Sequence, residues 1–202
     1  MSFAHDLGGL GPYEAKDLHA REDEGRGLEL EDGWLTELSP STAHNFAYRR
    51  IHEFLEAAIE NAGASVYTDR GGDWEISTPA GIRKPDVFAV PTKVMRTALE
   101  ARDAAPIPGH ELLLVVEVVT PGRRSERTDR VRKPKEYAAL GIPQFWIVEI
   151  VPVPRVQVLV INDETGAYRL GRRAMAGEML EVDVQADRPF RVRFDPGVLT
   201  EF

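Results

Sequence analysis

The chain reads as an α/β protein, a mixed central sheet flanked by helices with extra antiparallel strands, and three observations predict this. Leu112 to Val119 is an almost unbroken aliphatic run broken by Glu117, and Gln144 to Ile150 is a second apolar run. Continuous runs of this kind mark strands covered on both faces. Between them lies a basic helical stretch ending near Leu140-Gly141, where Gly suits the C′ position. Strand, helix and strand at that spacing predict a right-handed βαβ unit with parallel strands.

The remaining elements follow in order. Residues 1 to 26 are Gly-rich and charged, an N-terminal extension with a short helix near Tyr13 to Arg21, ahead of a single domain over 27–202. Leu28-Glu29-Leu30-Glu31, Asp32-Gly33 and Trp34 to Leu38 read as a hairpin, because Asp-Gly suits a two-residue primed turn. Alternation sets Leu28 and Leu30 on one face and Glu29 and Glu31 on the other, which a solvated hairpin face would explain. Pro40-Ser41-Thr42 supplies the N-cap of a helix of roughly twenty residues ending at Gly63. Phe46, Ile51, Phe54, Leu55, Ala58 and Ile59 recur on it at helical spacing, so its apolar face belongs to the core. Strands are expected at Ser65–Thr68, Trp74–Thr78 and Val87–Val90, the last two joined as a hairpin through Pro79-Ala80-Gly81. Lys93 to Arg102 reads as a surface helix and Ala104 to Gly109 as a connector. Val156–Ile161 and the Tyr168–Phe194 stretch read as peripheral antiparallel strands.

Composition narrows the chemistry. There is no cysteine among 202 residues, which excludes disulfides, thiolate metal sites and cysteine nucleophiles. The five His residues are scattered, without the close pairing of a zinc helix. No signal-peptide apolar region and no run of about 20 apolar residues is present, so the expected location is the cytoplasm. A net charge of −8 argues against broad non-specific nucleic-acid binding, although a local basic patch can sit on an acidic body. Arg123, Arg124, Arg127, Arg130, Arg132, Lys133 and Lys135 form the best candidate patch, with a solvated loop and helix face as the alternative.

Asp86 and Glu117 are the most informative residues. Each stands where an apolar strand meets a polar edge, and a carboxylate in such a run needs a cation, a donor or a metal. Phosphodiester hydrolysis needs carboxylates for Mg²⁺ and a cationic group that steadies the charge or orients the attacking water. Asp86 and Glu117 can supply the carboxylates, a main-chain carbonyl near Val118 a further oxygen, Glu29 an additional ligand and Lys133 the cation. Spacing alone makes this plausible and no more, since carboxylates near strand ends are common.

Several blocks occur together in order: Glu-Leu-Glu-Asp-Gly (29–33), Ser-Pro-Ser-Thr-Ala-His (39–44), Lys-Pro-Asp (84–86), Val-Val-Glu-Val-Val-Thr-Pro (115–121), Asp129 with Lys133 and Tyr137, and Gly-Ile-Pro-Gln-Phe-Trp-Ile-Val-Glu (141–149). Over roughly residues 28 to 160 the chain resembles the Uma-two family, restriction-endonuclease-like proteins of the PD-(D/E)xK nuclease superfamily. The resemblance implies a restriction-endonuclease-like fold and a DNase site using Mg²⁺ (or Mn²⁺). Asp86 matches the motif Asp, Glu117 the motif Glu and Glu29 the early family glutamate. The motif lysine would fall at position 119, which is Val119 here, and Lys133 matches the family's migrated lysine. Pro134 follows Lys133, so either Pro134 opens the helix or the helix kinks there, and Lys135 stays open as the substitute. His44, in the first turns of its helix, is expected to pack or cap, with a substrate contact as the alternative. By analogy with such folds a homodimer is possible. Two rivals stay open: a catalytically silent binding or regulatory module, and a metal-dependent hydrolase of another phosphate substrate.

Overall fold

The computed structural model describes residues 11–22, 27–38, 40–72, 74–101, 106–122 and 126–201. Helix α1 (Ala15–Glu22) leads into the hairpin of β1 (Leu28–Glu31) and β2 (Trp34–Glu37). Asp32 and Gly33 both take positive φ, 49° and 78°, which is the primed turn that Asp-Gly favours. A Cβ at Gly33 would lie 2.6 Å from Pro12, so the turn needs glycine twice over. Helix α2 (Thr42–Ala62) is capped as the sequence predicts: Ser41 accepts from the His44 N–H, and Gly63 ends the helix in the left-handed region.

The chain then forms β3 (Val66–Arg70), β4 (Ile76–Thr78), β5 (Gly81–Arg83), β6 (Val87–Pro91), α3 (Thr92–Glu100) and β7 (Ile107–Pro108). β8 (Leu114–Val119), a π-helical turn (Thr128–Arg132), α4 (Lys133–Ala139) and β9 (Gln144–Glu149) make the strand–helix–strand unit. β10 (Arg155–Asn162), β11 (Ala167–Met175), β12 (Leu180–Val184) and β13 (Phe190–Phe194) follow.

Six strands form the main sheet in the order β11-β10-β9-β8-β6-β3, in which β8 and β9 are parallel and the other neighbours antiparallel. A smaller sheet runs β2-β1-β5-β4-β7, and β12 and β13 form a two-stranded sheet. The main sheet is covered on both sides. Val87, Ala89, Val116 and Trp146 pack with α2 residues Ile51 and Leu55 and with β13 residues Phe190 and Val192. Phe88, Val115, Val119 and Phe145 pack with Met95 of α3 and Tyr137 of α4. Leu18 of α1 closes a third cluster with Leu28, Leu30 and Ile82.

Three expectations are corrected. The Val87 strand does not pair with β4; the hairpin partner is β5, and β6 joins the main sheet instead. Gly81 makes this possible, because at φ 139° its backbone approaches β1 so closely that a Cβ would lie 2.4 Å from the Leu30 carbonyl. Glu29 and Glu31 are not on a solvated face: they are 2% and 6% exposed, because Arg83 of β5 lies against them. The strand at Val156–Ile161 is not peripheral but interior, flanked by β9 and β11, with Val156 and Val158 in the core.

Candidate active site

Side chains alternate across a strand, so Glu117 shares a sheet face with Val115 and Val119, the face that α4 covers. β6 pairs with β8 only as far as Val87↔Val116. Just beyond that point Asp86 turns in, and its Oδ2 accepts the Val118 N–H at 2.7 Å. The N–H and C=O of one strand residue leave from the same edge, so the Val118 carbonyl faces the same gap between β6 and β8. His44 Nε2 lies 3.0 Å from the same Oδ2, brought there by the capped first turn of α2. Among the described residues both side-chain hydrogen bonds of Asp86 therefore fall on one oxygen.

Lys133 is the centre of the cluster. Its Nζ sits 2.9 Å from Glu117, 3.2 Å from Asp129 and 3.3 Å from Glu29. The ammonium is 3% exposed and Glu117 5%. Tyr137 donates its hydroxyl to the same Glu117 oxygen at 3.0 Å. Lys135, one residue past Pro134, is exposed. Pro134 stands in the first turn of α4, the first of the two readings, and the chain before it is wound as a π-turn, with the Lys133 N–H donating to the Thr128 carbonyl. Lys133 keeps α dihedrals despite the following proline.

Behind Glu29 lies a second layer. Arg83 is fully buried; it donates twice to Glu136, at 2.8 and 2.5 Å, and through Nη1 to Glu31 at 3.0 Å and Glu29 at 3.3 Å. The Lys84 N–H donates to the other Glu29 oxygen at 2.9 Å. This fork ties β1 and β5 of the small sheet to α4 and so fixes the distance from Glu29 to Lys133.

Burial pushes the Asp86 carboxyl up to about 7, against the Val118 N–H and the Lys133 charge. Burial also pushes Glu117 well above the carboxylate range, with Asp86 adding to the rise and Lys133 opposing it. Lys133 is held above its ordinary value: burial alone would lower it, but Glu117, Glu29 and Asp129 together outweigh that. The ammonium is thus charged at neutral pH while two neighbouring carboxyls are short of positive charge. That shortage fits a hard divalent cation. Among the described residues no three acidic or imidazole side chains converge closely enough to cage a metal. An ion on Asp86 and Glu117 would therefore complete its shell with the Val118 carbonyl and water, as Mg²⁺ commonly does.

All four expected residues, Asp86, Glu117, Lys133 and Glu29, meet in this cluster. The expected basic patch does not stand free. Arg130 donates to Glu126 at 2.9 Å and pairs with Glu149; Arg132 pairs with Glu31. Arg127 is exposed, and Arg123 and Arg124 lie outside the described residues. Sequence reasoning named Asp129 only as part of the family pattern, gave Arg83 no role, and gave His44 packing or capping with a substrate contact as the alternative. The Asp129–Lys133 spacing of four on a helix was a usable signal; nothing local distinguished Arg83.

The family described as "Putative restriction endonuclease" (Uma2) matches residues 14–187. Among curated proteins no relative matches. One solved structure, "a putative nuclease belonging to DUF820" from Anabaena variabilis, aligns with a TM-score of 0.50 at 11% identity. The alignment covers 77% of this chain and 80% of that one, a likeness of fold. No described helix is long and apolar enough to cross a membrane.

Proposed function

Because the chain belongs to the Uma2 family of restriction-endonuclease-like proteins, we propose that it is a Mg²⁺- or Mn²⁺-dependent DNA endonuclease whose metal rests on Asp86, Glu117 and the Val118 carbonyl. The observation that carries the reading is the buried Lys133 ammonium shared by Glu117, Asp129 and Glu29, beside an Asp86 whose side-chain hydrogen bonds among the described residues all fall on one oxygen. When bound, the metal supplies Lewis acidity to the phosphate and lowers the pKa of a coordinated water. Lys133 stays protonated, so it acts as a donor: it orients the attacking water or steadies charge on the phosphate, and does not serve as the base. Glu29 and Asp129 hold the ammonium in place, and Tyr137 fixes the Glu117 oxygen that Lys133 also touches.

A silent binding module is the second reading, favoured by the ion pairs that occupy Arg130 and Arg132. Calorimetry of Mn²⁺ on the wild type and Glu117→Ala, with nicking of supercoiled plasmid in parallel, separates the two. Binding and nicking that both disappear in the variant are expected. A wild type that binds no Mn²⁺ sinks the catalytic reading.

A further inference from the structure

β11 is an edge strand of the main sheet, so one row of its backbone groups is unpaired. It carries Arg169, Arg172 and Arg173, all exposed. Several surface arginines elsewhere are neutralised: Arg49 and Arg50 by Glu53, Arg132 by Glu31, Arg155 by Glu149, and Arg191 by Glu181 and Asp183. The three on β11 make no ion pair among the described residues. Charge on an edge strand, lysine above all, discourages sheet-to-sheet aggregation. Three uncompensated arginines, whose guanidinium also grips phosphate in a two-pronged bond, give this chain of net −8 a local surface for an anionic backbone as well.

The pairing register connects this strand to the candidate site. Glu117 stands opposite Ile147, Ile147 opposite Gln157, and Gln157 opposite Arg173. Residues in one such row project from the same face, so Arg173 and Glu117 share it. Three strand spacings put them about 14 Å apart, with α4 lying over the face between them, where Tyr137 packs on Phe145. Arg169 and Arg172, opposite Val160 and Val158, flank the same edge from the other face.

We propose that β11 is a surface that grips the nucleic-acid backbone, with Arg173, Arg172 and Arg169 contacting phosphates of a strand that runs along this edge, outside α4 and away from the phosphate at Glu117 and Lys133. This rests on the nuclease reading above and moves the backbone contacts away from the segment around Arg130. The test is binding of a labelled duplex oligonucleotide in EDTA, by anisotropy across a salt series, with plasmid nicking in Mg²⁺ alongside. Each lost phosphate contact should lower the slope of log K against log salt by about 0.9. The triple variant R169Q/R172Q/R173Q should therefore lose about 2 to 3 from the slope, while the triple Arg→Lys variant and Arg191→Ala keep it. A wild type that binds and nicks DNA together with a triple Gln variant of unchanged slope overturns the proposal and leaves the nuclease reading standing. A changed oligomeric state on size exclusion with an unchanged slope also overturns it, and assigns the edge to a second copy of the chain. A wild type that neither binds nor nicks overturns both.

Discussion

Replacing Lys133 with methionine removes the one charge on which Glu117, Asp129 and Glu29 converge. Glu29 would keep Arg83 and the Lys84 N–H, and Glu117 would keep Tyr137, so the loss concentrates on Glu117 and Asp129. Taking one partner from a buried ion pair costs about 3–5 kcal/mol, because a charge is left without compensation. For a chain of this size that corresponds to a melting point lower by about 6 to 20 °C. The cost should depend on pH. A carboxyl whose pKa is higher in the folded protein than in the unfolded chain makes the folded state bind more protons, so its contribution falls as pH rises. Glu117 is already raised by burial, and losing Lys133 raises it further. The deficit of Lys133→Met should thus be largest near pH 8 and shrink toward pH 5, where the carboxyls take protons instead. Mn²⁺ should stabilise the variant by replacing the missing charge. Thermal unfolding at pH 5 and 8, with and without Mn²⁺, measures all of this. A loss below about 1 kcal/mol at pH 8, or one that ignores pH, would refute an ammonium held by buried carboxylates.

Mn²⁺ affinity of the wild type should rise with pH and level off above about 7, since a proton on Asp86 competes with the metal; calorimetry giving equal affinity at pH 5.5 and 7.5 would contradict this. His44→Ala should weaken Mn²⁺ binding about 10- to 100-fold, whereas His44→Gln, whose amide can donate to the same Asp86 oxygen, should retain most of it. Equal losses in the two would show that His44 only packs. Arg83→Met should cost about 3–5 kcal/mol in urea unfolding, and Arg83→Lys should recover only part, because a lysine cannot reproduce the two-pronged bond to Glu136. A Lys variant as stable as the wild type would show that the two-pronged bond to Glu136 adds nothing to stability.

The main sheet, the capped α2 and the primed turn were legible because each depends on neighbours in sequence: a run of aliphatics, Ser41 and Gly63 at the two ends, Asp32-Gly33 between two short strands. The errors have the opposite origin. Whether Glu29 and Glu31 meet water depends on Arg83, which arrives from more than fifty residues away. The partner of β4 depends on a glycine fitting against Leu30. At the site, Asp86 and Glu117 stood out because lone carboxylates in apolar runs are costly wherever they end up. His44 and Asp129 lie on helices among other polar residues, where only the fold reveals what they face.

The π-turn at Thr128–Arg132 absorbs one residue of chain length. It spends five residues on a circuit that an α-turn closes with four, so deleting Arg130 or Val131 would let the helix wind normally while α4, anchored by Tyr137, keeps Lys133 aimed at Glu117. No amino acid in the cluster would have changed identity. The site should therefore survive a single in-frame codon loss at either of these two positions. A gap placed at will within residues 128–132 of an alignment would hide that event.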